Sequence, residues 1–343
     1  MPRKTVYNNL TSPELISQIS KENKEIMNEF ISYLKSVDKS PKTIESYIND
    51  IYICLCWNVE NNSNKFFVDF TKRDIMKYQN YLIHDLKHSS NRVRRLKSAI
   101  SSMSNFIESV MDDLYPEFRN IVNKIPAPSK VEVREKTIMT EEQIKFLLDY
   151  LVEHKKYQQA CAFALAVASG SRKSELLRFK VSYFTDENVK YGALYKTPEK
   201  IKTKGRSSKG KMIYRWILVS QFKPYFDLWM KQREELGIHG EELFWNRRNG
   251  EWKPAGITTL NSWALTFSKI LNIDFYFHSA RHFFNTMLCQ ANIPASVIKD
   301  IIGWESTAMV DLYNDTEVDD EIGKYFSEDG IKQVEQKTLK DLK

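Results

Sequence analysis

Residues 277–315 read FHSARHFFNTMLCQANIPASVIKDIIGWESTAMVDLYND. His278 and Arg281 stand three positions apart, Trp304 follows, and Tyr313 comes nine residues after the tryptophan. Three-residue spacing on a helix puts the imidazole and the guanidinium on one face, where both can address a single anion. His and Arg directed together toward a tyrosine suit a phosphate. One arginine is too few for its two nonbridging oxygens, so a second is expected elsewhere in the chain.

The chain has 343 residues, enough for two domains with sizeable cores. Its aromatic content, 13%, argues against disorder. A net charge of +7 favours a polyanionic partner. Cys54, Cys56, Cys161 and Cys289 are scattered in apolar surroundings, and the Cys54/Cys56 pair lacks the second pair or His cluster of a zinc site. Reduced thiols are therefore expected, with no metal and no cofactor. No signal peptide opens the chain and no apolar run nears the ~18 residues of a membrane span, so a soluble cytoplasmic protein with no membrane partner is expected.

Working back to the start, residues 1–20 open with the polar MPRKTVYNNLTS and are expected to be a flexible segment, with Ser12-Pro13-Glu14 as a helix start. Helical spacing then links Ile26, Met27, Phe30, Ile31 and Leu34. Ser40-Pro41 opens a second helix carrying Ile44, Tyr47, Ile48, Ile51 and Leu55. Thr71 with Asp74 caps a third, and Ser89-Ser90-Asn91 precede a fourth running through Ile100, Met103 and Ile107. Residues 21–117 thus predict an all-helical domain. The start of its fourth helix holds Lys87, Arg92, Arg94, Arg95 and Lys97 with no acidic residue. Cations there oppose the helix macrodipole, so compensation from outside the helix is expected. DNA phosphates would supply it; a solvated basic face is the alternative.

Residues 118–137 lose periodicity, gain two prolines and predict a linker. The capping box Thr140-Glu141-Glu142-Gln143 then begins a second domain, 138–322. Tyr157 to Ala168 reads as a buried helix ending in Ser169-Gly170-Ser171, and Arg172 follows at once. Here is the second arginine, at the start of a short helix where backbone amides can face an anion with it. Residues 193–195, 201–206 and 212–219 predict a small antiparallel sheet with Ser207-Ser208-Lys209-Gly210 as a turn. Lys196, Lys200, Lys202, Lys204, Arg206, Lys209, Lys211 and Arg215 crowd this segment against the single acid Glu199. Lys202, Arg206, Lys211 and Arg215 are expected DNA contacts. Three helical segments follow, roughly 221–235, 256–271 and 279–290. The tail, 323–343, continues the helix-spaced apolar series Ile322, Tyr325, Phe326, Ile331 and Val334 and predicts a helix that must dock on something.

In order and spacing, SGSRKSELL at 169–177, HSARH at 278–282 and IGWESTAMVDLY at 302–313 resemble the tyrosine recombinase, or phage integrase, family. The resemblance covers about 138–320. On architecture more than motif, the helical half is similar to that family's core DNA-binding domain. It implies a mainly α fold with a small antiparallel β-sheet, a two-domain clamp on DNA whose second domain is catalytic.

The resemblance implies a site-specific recombinase that needs no divalent metal. Tyr313 would attack a phosphodiester and form a 3′-phosphotyrosyl bond, Arg172 and Arg281 would clamp the nonbridging oxygens, and His278 would help deprotonate the tyrosine. A hairpin lysine would protonate the departing 5′-oxygen. Lys209, six residues before Arg215, is the preferred candidate, and Lys204, in an equally good Lys-Gly pair, is carried beside it. Trp304 occupies a place where the family commonly has His; indole donates one N–H but exchanges no proton. Glu175 and His282 are expected in supporting roles. The implied partners are double-stranded DNA carrying a specific site, three further copies in a DNA-bound tetramer with the tail helix passed between subunits, and an accessory DNA-bending protein. A mobile-element owner, phage or transposon, and a location on the nucleoid are expected with them. Two other readings remain open here: a type IB topoisomerase-like enzyme, and a non-catalytic DNA-binding protein.

Overall fold

The computed structural model describes residues 10–130, 137–203, 210–314, 326–327 and 330–331. The chain divides into two compact units, one ending at residue 135 and one beginning at 136. In the first, α1 (Pro13–Gln18), α2 (Lys21–Ser36), α3 (Pro41–Asn61), α4 (Lys72–Asn80) and α5 (Ser90–Val110) follow one another. Ser12, Ser20, Ser40, Thr71 and Ser89 each cap a helix by accepting a backbone N–H, so the start signals in the sequence act as written. Apolar stripes such as Ile26, Met27, Phe30 and Leu34 meet Ile51, Leu55, Ile100 and Ile107 in one core.

Three expectations for this unit need correction. The segment expected to be flexible holds α1, and Ile19 is buried. The predicted linker begins too early, because Phe118 and Val122 are buried in the helical core and the Asn120 amide donates to the Ser101 carbonyl and Asn105 Oδ1. Aperiodic sequence can still pack when apolar residues fall on a ready surface. The basic stretch is also partly compensated within the protein. Asp50 of α3 accepts from Arg92 Nη1 at 2.8 Å and Arg95 Nε at 2.9 Å, and Arg94 Nη1 donates to the Pro128 carbonyl at 2.9 Å. Lys97 shares the helix face of Val93 and Ile100, so it is buried, and its ammonium donates to Gln79 Oε1 and the Ile125 carbonyl. It is no surface DNA contact. Lys87 does stand exposed.

The second unit is built around α7 (Tyr157–Ser169), whose every residue from Ala160 onward is buried. Its alanines let neighbours approach closely. α6 (Glu141–Glu153), α9 (Val219–Glu235) and α11 (Phe277–Gln290) pack on it. Phe163, Phe222, Phe267 and Phe284 are each at most 1% exposed, and rings so buried contribute roughly 1.5–3 kcal/mol apiece. α8 (Lys173–Leu176), α10 (Ile257–Leu271), α12 (Ala295–Ile302) and α13 (Ala308–Tyr313) complete the described helices.

The expected single sheet is two. β1 (Val189–Lys190), β2 (Leu194–Lys196) and β5 (Trp216–Leu218) form one antiparallel sheet, while β3 (Ile201–Thr203) and β4 (Lys211–Ile213) pair separately with Thr203 opposite Lys211. A further hairpin, β6 (Trp245–Arg248) with β7 (Glu251–Pro254), lies where no strand was expected. Its turn is Asn249-Gly250, both at positive φ, the dipeptide that suits the mirror-image turns of tight hairpins. In the tail, Phe326–Ser327 and Gly330–Ile331 pair as short strands β8 and β9. A helix over the whole of 323–343 is therefore corrected, because these four residues pair as strands. The rest of that tail lies outside the described residues.

Candidate active site

The site is assembled where α7 stops. Gly170 caps that helix at φ +56, and a Cβ there would sit 2.6 Å from Cδ1 of the buried Phe284 ring, so the turn is open to glycine alone. The turn frees the Gly170 carbonyl to accept from Arg281 Nη1 at 2.8 Å. Arg172 N-caps α8, and Glu175 reaches back to its N–H at 3.0 Å. Glu175 also accepts from Arg172 Nη1 at 3.0 Å, from the Thr203 hydroxyl, and from Arg215 Nη2 at 3.1 Å. Burial would raise this carboxyl, but Arg215, the Thr203 hydroxyl and Arg172 outweigh it and hold it down at about 2. It is a fixed anion under the first arginine.

Arg215 is fully buried. Its Nε and Nη2 donate to Ser171 Oγ at 3.1 and 2.9 Å, and Nη1 donates to the Ile302 carbonyl at 2.7 Å. The expected DNA contact at Arg215 is therefore corrected: with its guanidinium occupied inside the protein, it braces the site. Strand alternation explains the placement, since Arg215 shares the inward side with Ile217. Thr203 does similar work from β3, its Oγ1 accepting from Arg172 Nη1 at 2.7 Å. Thr203, Ser171, Arg215 and the carbonyls of Gly170 and Ile302 were not foreseen in these roles. Period-two spacing around Ile217 was the available signal for Arg215.

His278, Arg281 and His282 project from one face of α11, as their spacing predicts. Arg281 is fully buried, with its guanidinium carbon 5.0 Å from the centroid of the Trp304 ring. Burial, then Arg215 and Arg172, pull its pKa below the ordinary arginine value. α12 ends at Ile302, whose carbonyl accepts from both Arg215 and Arg281, a helix C-terminus facing cations. Trp304 is 5% exposed. Arg281 Nε and Trp304 Nε1 are buried with no hydrogen-bond partner among the described residues, and each suits an acceptor oxygen from a substrate.

Tyr313 ends α13 and is half-buried. Its hydroxyl lies 2.7 Å from His278 Nε2. Its ring stacks on His282 at 4.4 Å and 22°, and tilts against Trp304 at 5.0 Å. Burial, followed by Arg281, His282 and Arg172, lowers the His278 pKa to about 4. His278 is thus neutral near pH 7 and competent to take a proton from the phenol. A buried histidine held neutral takes up a proton on unfolding, so stability falls as pH drops from ~6.5 toward that lowered value. Nitrogen-15 spectra of the free protein should show a neutral His278 ring throughout about pH 5.5 to 8. A midpoint at or above the ordinary histidine value would contradict this.

Lys204, Lys209 and Arg206 lie outside the described residues. Lys202 is exposed on β3 and Lys211 half-buried on β4. Together, Arg172, Arg281, His278, Trp304, Tyr313, Glu175 and His282 meet in one connected site. It offers a phenol beside a neutral base and two guanidiniums for an anion.

The phage integrase family matches residues 137–319, and the phage integrase N-terminal SAM-like domain matches residues 26–117. The SPbeta prophage-derived recombinase-like protein YomM of Bacillus subtilis (strain 168) is 29% identical over 251 residues, 72% of this chain and 71% of that protein. Among solved structures, a lambda integrase tetramer bound to a Holliday junction aligns at TM-score 0.61 with 18% identity, covering 89% of this chain and 81% of that one. The XerH site-specific recombinase in a post-cleavage complex with its palindromic difH substrate aligns at 0.59 with 16% identity, covering 90% of each. The Tn1549 transposon integrase in complex with circular intermediate DNA aligns at 0.58 with 15% identity, covering 87% and 97%. At these identities the likeness speaks for the fold.

Proposed function

This chain belongs to the phage integrase family, tyrosine recombinases that act by DNA cleavage and rejoining, and from that premise we propose how its own residues divide the work. The observation that carries the proposal is the 2.7 Å contact between the Tyr313 hydroxyl and a neutral His278, in a site that also holds Arg172 and Arg281. Tyr313 Oη attacks the scissile phosphorus while its proton passes to His278 Nε2. The bond from phosphorus to the 5′-oxygen breaks, leaving a 3′-phosphotyrosyl link. Arg172 and Arg281 meet the charge on the nonbridging oxygens, and Trp304 Nε1 adds one neutral donor. Glu175, Thr203 and Arg215 hold Arg172 in place, and His282 holds the phenol ring.

A hairpin lysine protonates the leaving 5′-oxygen. Thr203 touches both Arg172 and Glu175, and Lys204 is the next residue, which favours it over Lys209. The test uses nicked duplexes of randomised sequence and scores protein–DNA adducts on denaturing gels. Lys204→Ala, Lys209→Ala and Lys202→Ala are compared on 5′-oxygen and 5′-bridging phosphorothiolate substrates. Loss of a general acid costs about 10²–10⁴-fold, and the sulfur leaving group needs no proton. Rescue of Lys204→Ala alone is the expected result; rescue of another variant reassigns the acid.

The same proposal includes a duplex partner with a specific recombination site, an accessory DNA-bending protein, ownership by a mobile element, a tetramer on DNA, and a tail passed between subunits. The prophage origin of one relative supports the owner, and the junction-bound tetramer of another supports the assembly. Residues 21–117 are proposed as the DNA-binding domain, with Lys87, Arg92, Arg94 and Arg95 at its DNA-facing helix.

A further inference from the structure

On the outward side of the sheet formed by β1, β2 and β5, two lysines lie over aromatic rings. Lys196 Nζ is 4.7 Å from the Tyr214 ring centroid and 5.2 Å from that of Trp216, and Lys200 Nζ is 5.7 Å from that of Tyr214. Tyr191 stacks on Trp216 at 6.4 Å and 20°. Alternation sets this surface. Arg215 and Ile217 are fully buried, so Tyr214 and Trp216 point the other way. Across the pairing, Tyr195 and Thr197 are buried, so Lys196, the register partner of Trp216, projects with them.

The surface is both apolar and cationic. Tyr191 is 73% exposed, and Met212 and Tyr214 are exposed as well, large apolar side chains of the sort that mark a contact surface. Among the described residues, no carboxylate pairs with Lys196 or Lys200. Glu199, the acid between them in sequence, accepts instead from Lys180 Nζ at 2.8 Å and from the Tyr183 hydroxyl. Aromatic rings hold an ammonium in place without neutralising it, so the positive charge remains available to an anion. A lysine restrained in this way also loses less rotamer freedom on binding.

Position along the chain identifies the anion. Lys200 precedes Thr203 by three residues, and Thr203 Oγ1 is 2.7 Å from Arg172 Nη1. Extended chain rises ~3.3 Å per residue, which puts the Lys200 backbone within about 10 Å of Thr203, the neighbour of the first arginine. Each strand of a duplex carries a phosphate every ~3.4 Å of its axis, so a cation at that range has further phosphates of the same backbone within reach. We propose that Lys196 and Lys200, braced by Tyr214 and Trp216, form a second phosphate grip on the duplex flanking the cleaved position. This rests on the recombinase reading above.

The test measures affinity of the full chain for a labelled duplex across a salt series. Lys196→Ala and Lys200→Ala each lower the slope of log K against log salt by about 0.9, which is about eightfold in affinity at ~0.1 M salt. Lys196→Arg and Lys200→Arg keep the slope. Tyr214→Leu also keeps it but weakens binding about two- to fivefold, the scale of one or two exposed cation–π contacts. Thermal melts matching the parent show that the variants are folded. An unchanged slope in both alanine variants, or a loss confined to single strands, overturns the grip. A parent chain that captures DNA covalently while the slopes stay unchanged removes the grip alone. A parent chain that binds no duplex removes the recombinase reading with it.

Discussion

Tyr313→Phe eliminates covalent capture of nicked duplex DNA while leaving noncovalent binding within about twofold of the parent, the latitude of a surface-scale substitution. The substitution removes one oxygen from a ring that stacks on His282 and tilts against Trp304, so packing in the site is kept. It also removes the hydroxyl that meets His278 at 2.7 Å. Loss of a covalent nucleophile in other enzymes reaches on the order of 10⁶-fold in rate, and at least about 10³-fold is expected here. The readout is the adduct band on a denaturing gel, with anisotropy on the same duplex as the binding control. An adduct of normal yield in Tyr313→Phe places the nucleophile elsewhere and ends the assignment. Loss of binding together with the adduct would instead assign Tyr313 a role in holding DNA.

Arg215→Met is expected to be the costliest single change in the second unit outside its apolar core. It removes the 3.1 Å partner of the buried Glu175 carboxylate, leaving Arg172 as its one guanidinium, and it leaves the Ile302 carbonyl and Ser171 hydroxyl without a principal donor. Breaking a buried ion pair from one side costs about 3–5 kcal/mol. In a domain of roughly 150–250 residues each kcal/mol shifts the melting point by about 2–4 °C, so a fall of roughly 6–20 °C is expected. Arg215→Lys keeps the charge but not the planar fork that spans several acceptors, so it recovers only part. Combining Arg215→Met with Glu175→Met should cost less than the two single losses added, with a coupling of about 1–3 kcal/mol. Additive losses would show that the two charges do not depend on one another. Covalent capture should fall with stability, because the same carboxylate holds Arg172.

How far the sequence carried can be judged residue by residue. The helix starts were legible because Ser, Thr and Pro at a cap act through the next few backbone atoms. The face shared by His278, Arg281 and His282 was legible because helical spacing fixes direction. Arg172 could be found because a turn before a short helix is a local signal. Arg215 lies inside despite its basic neighbours because strand alternation outweighs composition, and Ile217 two residues on marks that side as interior. Asp50 could not be found as the partner of Arg92 and Arg95, since that pairing depends on how α3 and α5 pack. The β6–β7 hairpin was missed despite Asn249-Gly250, a signal strong enough to have placed it. Lys97 went inward for the same reason as Arg215: position on a face decides, and charge then finds partners.

Trp304 has a consequence for the return step of the reaction. An indole N–H donates but does not trade its proton, so the tryptophan is the same species before and after cleavage. Under the division of work proposed above, when a 5′-hydroxyl attacks the phosphotyrosyl bond and the phenol departs, the imidazole 2.7 Å from the Tyr313 hydroxyl is the group placed to return a proton to it. In that proposal one histidine serves the tyrosine in both directions, as microscopic reversibility requires of a reaction whose bond energy is conserved. The route back is the route in, run by the same atom.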